Sequence, residues 1–136
     1  MVDLDRLAFR LELLHDYLTE LRRLRSLDLA DYLREAYAGR YLVQVATQAC
    51  IDVAGHVVAS EGWRAPRDFA DGFTVLHEHG VLDEDLTGRL RALAGLRNRL
   101  VHVYDRIDDE RVHQTLSQGL GDLEAFGVAI TRFVTG

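Results

Sequence analysis

Apolar residues recur at helical spacing along the first half of the chain. Near the N-terminus they follow steps of three and four residues, which predicts a helix over about residues 3–25: Leu4, Leu7, Leu11, Leu14, Leu18 and Leu21. A second apolar pattern covers about residues 28–60, and Gly39 is a candidate for a break in it, although one glycine costs only ~1 kcal/mol inside a helix. A short third helix follows the single proline from about residue 67, carries Phe69, Phe73 and Leu76, and ends near Gly80.

The second half of the chain continues the same periodicity. A fourth helix begins at Asp83, a residue type that suits a helix N-cap, and its stripe runs through Leu86, Leu90, Leu93, Arg97 and Leu100. The last helix begins near Asp108 or Asp109. No segment alternates between apolar and polar residues as a half-buried strand does. The pattern therefore predicts an all-α protein with one domain over residues 1–136, folded as a bundle of about five helices.

Composition narrows the class of protein. The 136 residues include one proline and one cysteine, so neither a disulfide framework nor a cysteine-rich zinc site is expected. A net charge of −6 argues against a general nucleic-acid coat protein, but it leaves room for an enzyme that holds RNA in a local cationic cleft. All 16 basic residues are arginines. With no signal-peptide core at the start and no apolar stretch of membrane-spanning length, a cytoplasmic protein without a membrane partner is expected.

Arg97 interrupts the apolar stripe of the fourth helix. The periodicity calls for a leucine-like residue at this position, and the sequence supplies a guanidinium group. An unpaired buried charge costs several kcal/mol, so the group is expected to be paired or to face a polar cleft or a subunit interface. The simplest interpretation is an ion pair with Asp52 or another carboxylate at the end of the helix.

Polar side chains crowd the residues that follow Arg97. At 100° per residue, Asn98 and His102 lie about 40° apart on a helix, and Arg97 and Tyr104 lie about 20° apart. Arg97 and His102 differ by about 140°, so they do not meet on one straight helix. A site that uses both requires a break near Leu100 or a second subunit.

The other candidate ligands and nucleophiles are expected to be structural. His77 and His79 point about 200° apart on a helix, unlike the i, i+4 pair of a zinc motif. The remaining histidines stand alone, so these side chains are predicted at the surface or at helix ends, with no metal and no cofactor: His15, His56 and His113. Cys50 lies on an apolar face and is predicted to be a small buried hydrophobe.

Taken together, these residues carry a resemblance to a known family. Residues 97–104 have the sequence Arg-Asn-Arg-Leu-Val-His-Val-Tyr, which resembles the R-x4-H-x-Y motif of the HepT-like toxins within the HEPN superfamily. Residues 40–54, residues 67–73 and the region from Asp108 onward resemble further segments of that family in the same order. The similarity covers nearly the whole chain, and only the first helix is generic.

The resemblance implies a HEPN-like homodimer in which two motifs face one cleft, and a metal-independent endoribonuclease without a cofactor. By position, His102 is the acid or base near the ribose 2′-hydroxyl, Arg97 binds the phosphate, and Asn98 is an orienting residue. Imidazole titrates near neutral pH, and guanidinium binds phosphate in a bidentate manner, so both side chains suit these roles.

The same resemblance implies partners. The substrate would be RNA, either tRNA or mRNA, and the chain would be the toxin of a type VII (MNT–HEPN) toxin–antitoxin system. Its antitoxin would be a minimal nucleotidyltransferase that transfers AMP from ATP to the motif tyrosine, here Tyr104. The added bulk and negative charge would obstruct an RNA phosphate at Arg97 and His102.

Two alternatives share this fold. One is a non-catalytic HEPN domain that binds nucleotide or serves as the helical partner subunit of a nucleotidyltransferase. The other is a plain helical adaptor, in which Arg97 forms only an interface salt bridge. Neither alternative cleaves RNA, so a cleavage assay separates both from the ribonuclease.

Overall fold

The computed structural model describes residues 2–103 and 106–136. Tyr104, the predicted modification site, and Asp105 lie outside the described residues. The described ranges contain no strand and fold into helices at these bounds: α1 (Leu4–Arg25), α2 (Leu29–Arg34), α3 (Ala36–Ser60), α4 (Asp71–Glu78), α5 (Glu84–His102) and α6 (Asp109–Thr135). The all-α prediction is confirmed, with six helices in place of about five.

Aspartate caps begin four of these helices. The side chains of Asp3, Asp28, Asp83 and Asp108 each accept a hydrogen bond from the backbone N–H three residues further on. Such a bond satisfies one of the free N–H groups at a helix start. The predicted starts of α5 and α6 are therefore confirmed.

The second apolar region divides at Glu35, and the candidate break at Gly39 is not used. Glu35 has φ −114° and ψ 22°, which separates α2 from α3, and α3 passes through Gly39 without interruption. Gly39 is needed because of packing. A Cβ built on it would meet the Tyr32 hydroxyl group and lie 2.8 Å from Cζ of that ring, which is fully buried.

Gly39→Ala is therefore expected to destabilise the protein, although alanine is the better helix former by ~1 kcal/mol. The buried Tyr32 ring, which packs at a tilt against His113 with 4.5 Å between centroids, has to move. Overpacking of this kind costs about 1–3 kcal/mol. Chemical denaturation measures the effect, with Gly55→Ala as control because nothing lies within 4 Å of a Cβ at Gly55. Equal stability gains in both variants would contradict this account of Gly39.

The helix α3 is the centre of the bundle and packs against α1, α4, α5 and α6. Cys50, Val53 and Val57 on this helix are fully buried. Contrary to expectation, α3 is long and apolar enough to cross a membrane by length and composition, and 56% of its apolar stretch is buried inside the bundle. The core helix of a bundle has the same composition, so this feature alone does not indicate a membrane span.

The predicted leucine stripes face this core. The α1 leucines at positions 7, 14, 18 and 21 are buried, whereas Leu11 is only partly buried and Leu4, in the first turn, is 61% exposed. On α5, the stripe leucines Leu86, Leu90, Leu93 and Leu100 are all buried. The stripe of α5 therefore points into the bundle on both sides of Arg97.

A nearly buried ion pair connects α3 to the start of α6. Arg40 donates from Nε and from one terminal nitrogen to the two carboxylate oxygens of Asp109, each at 2.7 Å, and the two side chains are 10% and 18% exposed. The Arg40 guanidinium also lies 5.0 Å from the centroid of the Tyr37 ring. Since Asp109 is the first residue of α6, the pair anchors the end of the connection that follows the 97–104 motif.

Removing one partner of this pair leaves a charge with little access to water. Asp109→Asn is expected to lower the free energy of unfolding by about 3 kcal/mol, the lower end of the range for buried pairs because some exposure remains. Glu35→Gln is the control, since its pair with Arg23 is 38% and 46% exposed and should change stability by less than about 1 kcal/mol. Equal losses in the two variants, measured by urea unfolding, would contradict the anchoring role.

Candidate active site

Arg97 lies in the core stripe of α5 with its side chain half buried. Its Nε is buried and has no hydrogen-bond partner among the described residues. One terminal nitrogen donates to Oδ1 of Asn98 at 3.1 Å, and no carboxylate of the described residues forms an ion pair with the guanidinium. The group therefore keeps several N–H donors free for a ligand.

Phe69 supports the guanidinium of Arg97. The central carbon of the guanidinium lies 5.0 Å from the centroid of the Phe69 ring, a cation–π contact. The sequence predicted Phe69 inside the third helix, and this was wrong: α4 begins at Asp71, and Phe69 precedes it with 49% of its surface exposed. The hydrophobic pattern could not separate a helix residue from a residue just before the helix.

A hydrogen-bonded network fixes the segment that carries Phe69. Arg64 donates two bonds to the carboxylate of Asp71, at 2.8 and 3.0 Å, and the backbone N–H of Arg67 donates a third at 2.9 Å. The bonds from Arg64 and Arg67 hold the pKa of Asp71 well below its ordinary value. The backbone N–H of Asp71 in turn donates to Asp68 at 2.8 Å. Local polar contacts therefore hold in place the segment that carries Phe69 beneath Arg97.

Asp52 is not the partner of Arg97. Its carboxylate accepts from Arg10 on α1 at 3.1 Å and from Gln48, one turn earlier on α3, at 2.8 Å. The simplest interpretation of Arg97, an ion pair with Asp52, is therefore wrong. Buried Oε1 of Gln48 has no partner among the described residues.

His102 is the last residue of α5, and its side chain is exposed. The helix continues through Leu100 without a break, and the backbone N–H of Val103 still donates to the carbonyl of Arg99 at 2.9 Å. The sequence offered two ways to bring Arg97 and His102 together, a helix break near Leu100 or a second subunit. The helix break is therefore wrong.

The bend of the Arg97 side chain reduces the angular separation between its guanidinium group and His102. Its bond to Asn98 draws the guanidinium around α5, toward the side of the helix on which Asn98 and His102 lie about 40° apart. Angles taken at Cα positions do not account for a long side chain that bends over its neighbour. Asn98, expected as an orienting residue, contacts Arg97 directly.

Four of the other histidines and Cys50 have structural contacts. His77 hydrogen-bonds through Nδ1 to the carbonyl of Leu82 at 2.8 Å, and His79 stacks on Trp63 with centroids 3.9 Å apart. His113 bonds through Nε2 to the carbonyl of Leu27, and Nε2 of His56 accepts from the N–H of Asp3. Cys50 is fully buried, and burial raises the pKa of its thiol, so it does not serve as a nucleophile. Within residues 2–103 and 106–136, no three histidine, cysteine or acidic side chains gather as metal ligands do.

Comparison with known proteins identifies the family. The model of the family described as ribonuclease HepT-like matches residues 14–130. The chain is 34% identical over 115 residues to the tRNA nuclease HepT of Aphanizomenon flos-aquae. The aligned region covers 82% of this chain and 78% of that protein. It is 31% identical over 84 residues to the mRNA nuclease HepT of Shewanella oneidensis, and this aligned region covers 62% of this chain and 63% of that protein.

The fold is shared with a solved toxin. A chain from the structure of the tri-AMPylated Shewanella oneidensis HEPN toxin in complex with MNT antitoxin superposes with a TM-score of 0.78. Its sequence is 23% identical, and the match covers 97% of this chain and 99% of that chain. The HEPN-like bundle and the HepT-like resemblance are confirmed, and an RNA-cleaving enzyme is confirmed at the level of the family. The family match spans most of the chain and one relative exceeds 30% identity over 82% of it, so the chain belongs to the ribonuclease HepT-like family.

Proposed function

We propose that this protein is the toxin of an MNT–HEPN toxin–antitoxin system and a metal-independent endoribonuclease in the cytoplasm, with residues 1–136 as one domain. The observation that carries the proposal is Arg97. A guanidinium at a leucine position has no carboxylate partner among the described residues, leans on Phe69 and bonds to Asn98. A stable fold gains little from such a group, whereas a site for a phosphodiester needs one.

The reaction is a transesterification at phosphorus. His102 accepts the proton of a ribose 2′-hydroxyl while that oxygen forms a bond to the adjacent phosphorus. The bond from phosphorus to the 5′ oxygen of the next nucleotide breaks, and this oxygen takes a proton from the imidazolium. Arg97 stabilises the charge on the phosphoryl oxygens, and Asn98 holds its guanidinium in place. The products are a 2′,3′-cyclic phosphate and a 5′-hydroxyl.

The active form is proposed to be a homodimer. The positions of Arg97 and His102 on α5 are about 140° apart, and the bend of Arg97 toward Asn98 closes only part of this angle, so a second copy supplies the facing member of each pair. Exposed apolar side chains next to these residues also favour a covered face: Phe69 at 49% and Val101 at 39%. Sedimentation should therefore give twice the monomer mass of 15.4 kDa.

Regulation is proposed to act at Tyr104. A nucleotidyltransferase antitoxin transfers AMP from ATP, so that the tyrosine oxygen bonds to the α-phosphorus, pyrophosphate leaves and the hydroxyl proton is released. The adduct would bring negative charge two residues from His102 and compete with an RNA phosphate. In a reaction with the antitoxin and ATP labelled on its α-phosphate, the wild type should take up label and Tyr104→Phe should not.

Incubation of the antitoxin-free protein with total RNA and with tRNA, in the presence of EDTA, tests the ribonuclease directly. The expected result is fragments with cyclic phosphate and 5′-hydroxyl ends, identified by mass spectrometry. A DNA strand of the same sequence should stay intact, because it lacks the attacking 2′-hydroxyl. Intact RNA at every enzyme concentration would favour the non-catalytic HEPN alternative, and cleavage that EDTA abolishes would overturn the metal-independent chemistry.

A further inference from the structure

A second polar feature lies beside the motif, between α5 and α6. It is a cavity of about 630 Å³, within the ordinary size range for small-molecule sites. Arg99 and Val103 line it from the motif segment, and Arg106 and Arg111 line it from the connection and from the first turns of α6. The roles inferred for Arg97, His102 and Asn98 do not use this cavity.

The rim of this cavity is cationic in a chain whose net charge is −6. Among the described residues, the exposed side chains of Arg99, Arg106 and Arg111 form no ion pair or hydrogen bond, whereas at least six other arginines are ion-paired. Arg89, which also lines the cavity, is one of those paired, since it bonds to Asp122 at 2.8 Å. Among the described lining residues, Asp108 is the one carboxylate that forms no ion pair, so the three guanidinium groups share the cavity with a single unpaired acid.

The floor of the cavity is apolar. Leu93 and Val112 are buried beneath it, and Leu96 and Ile107 are partly buried around it. An apolar floor under a rim of guanidinium groups matches a nucleotide, whose base packs on apolar or planar groups and whose phosphate accepts from arginine. A free phosphate ion has no apolar group that could pack on this floor.

The cavity is also close to the proposed cleavage site. Arg99 lies three residues before His102 on α5, and side chains at this spacing are neighbours with about 5–6 Å between Cβ atoms. An RNA strand whose cleaved phosphodiester lies at His102 therefore reaches the mouth of the cavity with its next nucleotide.

We propose that this cavity binds the nucleotide that adjoins the cleaved phosphodiester, with the base on the apolar floor and its phosphate at Arg106 and Arg111. This inference rests on the proposed function. It identifies the substrate as single-stranded RNA, such as a loop, because a base stacked within a duplex cannot enter the cavity.

Binding measurements with an uncleavable RNA separate this inference from catalysis. The probe is a fluorescent 2′-O-methyl RNA strand, and its Kd is measured over a range of salt concentrations. The double variant Arg106→Gln/Arg111→Gln should weaken binding by at least about tenfold and reduce the salt slope by about 0.7, as expected for the loss of the contact with one phosphate of a single strand. The control Arg25→Gln/Arg34→Gln removes the same charge from exposed arginines outside the cavity and should change the Kd much less.

Each outcome decides the question. If the wild type cleaves RNA and both double variants bind the probe equally well, the cavity is not the subsite and the ribonuclease stands. Equal competition by single-stranded and duplex RNA would overturn base insertion. A wild type that neither cleaves nor binds RNA would overturn the proposed function, and this inference with it. Unchanged melting temperatures, expected for exposed arginines, ensure that a loss of binding is not a loss of fold.

Discussion

His102→Ala is expected to lower the rate of RNA cleavage by about 10²–10⁴ while the fold stays intact. The factor is the usual contribution of one positioned general acid or base. The fold should not change because the side chain is exposed at the last residue of α5 and has no hydrogen bond to any described residue. Initial rates on tRNA and the melting temperature, measured on the same samples, check both halves of the prediction.

A second exposed histidine provides the matched control. His15 on α1 is also exposed, and its side chain makes no hydrogen bond to the described residues. His15→Ala should therefore leave both cleavage and melting temperature unchanged. If the two alanine variants cleave RNA equally fast, His102 is not the acid or base. A rate that falls together with the melting temperature would indicate a structural role for His102.

Much of the fold was predictable because burial imposes a period on the sequence. The leucines of α1 and α5 and the helix starts at Asp83 and Asp108 follow local rules, and the structure agrees with them at nearly every position. The roles of Gly39 and Phe69 were not predicted, for a shared physical reason. The role of Gly39 depends on the Tyr32 ring of the neighbouring helix α2, and that of Phe69 depends on the guanidinium of Arg97 on α5. Contacts between one helix and another part of the fold leave no periodic signal.

The candidate site divides in the same way. Arg97 stands out from the sequence alone, because a charge at a leucine position breaks a local rule. The functional roles of His102 and Tyr104 came from family resemblance, since a single histidine and a single tyrosine carry no periodic signal. The cationic cavity was not predicted, because Arg99, Arg106 and Arg111 come from two helices and their connection, and only the packing of α5 on α6 brings them together.

Arg97→Leu should separate stability from activity. Leucine restores the apolar stripe between Leu93 and Leu100 and removes the buried Nε that has no partner, a defect that costs about 1–3 kcal/mol. The variant loses a cation–π contact with Phe69, worth about 0.5–1 kcal/mol at an exposed site. The melting temperature is therefore expected to stay the same or rise, while RNA cleavage falls by about 10²–10³ as for the loss of one charge-stabilising donor.

Arg97→Lys is the matched variant, because it keeps the charge and loses the paired N–H donors that hold two phosphate oxygens at once. Its cleavage rate should lie between those of the wild type and Arg97→Leu. If Arg97 serves only a salt bridge at a subunit interface, Arg97→Leu should instead weaken the dimer and lower the melting temperature without a specific loss of activity. Sedimentation and thermal unfolding of the three proteins distinguish these outcomes. A stable, dimeric and inactive Arg97→Leu would mean that this position is occupied by arginine for chemistry, at the expense of packing.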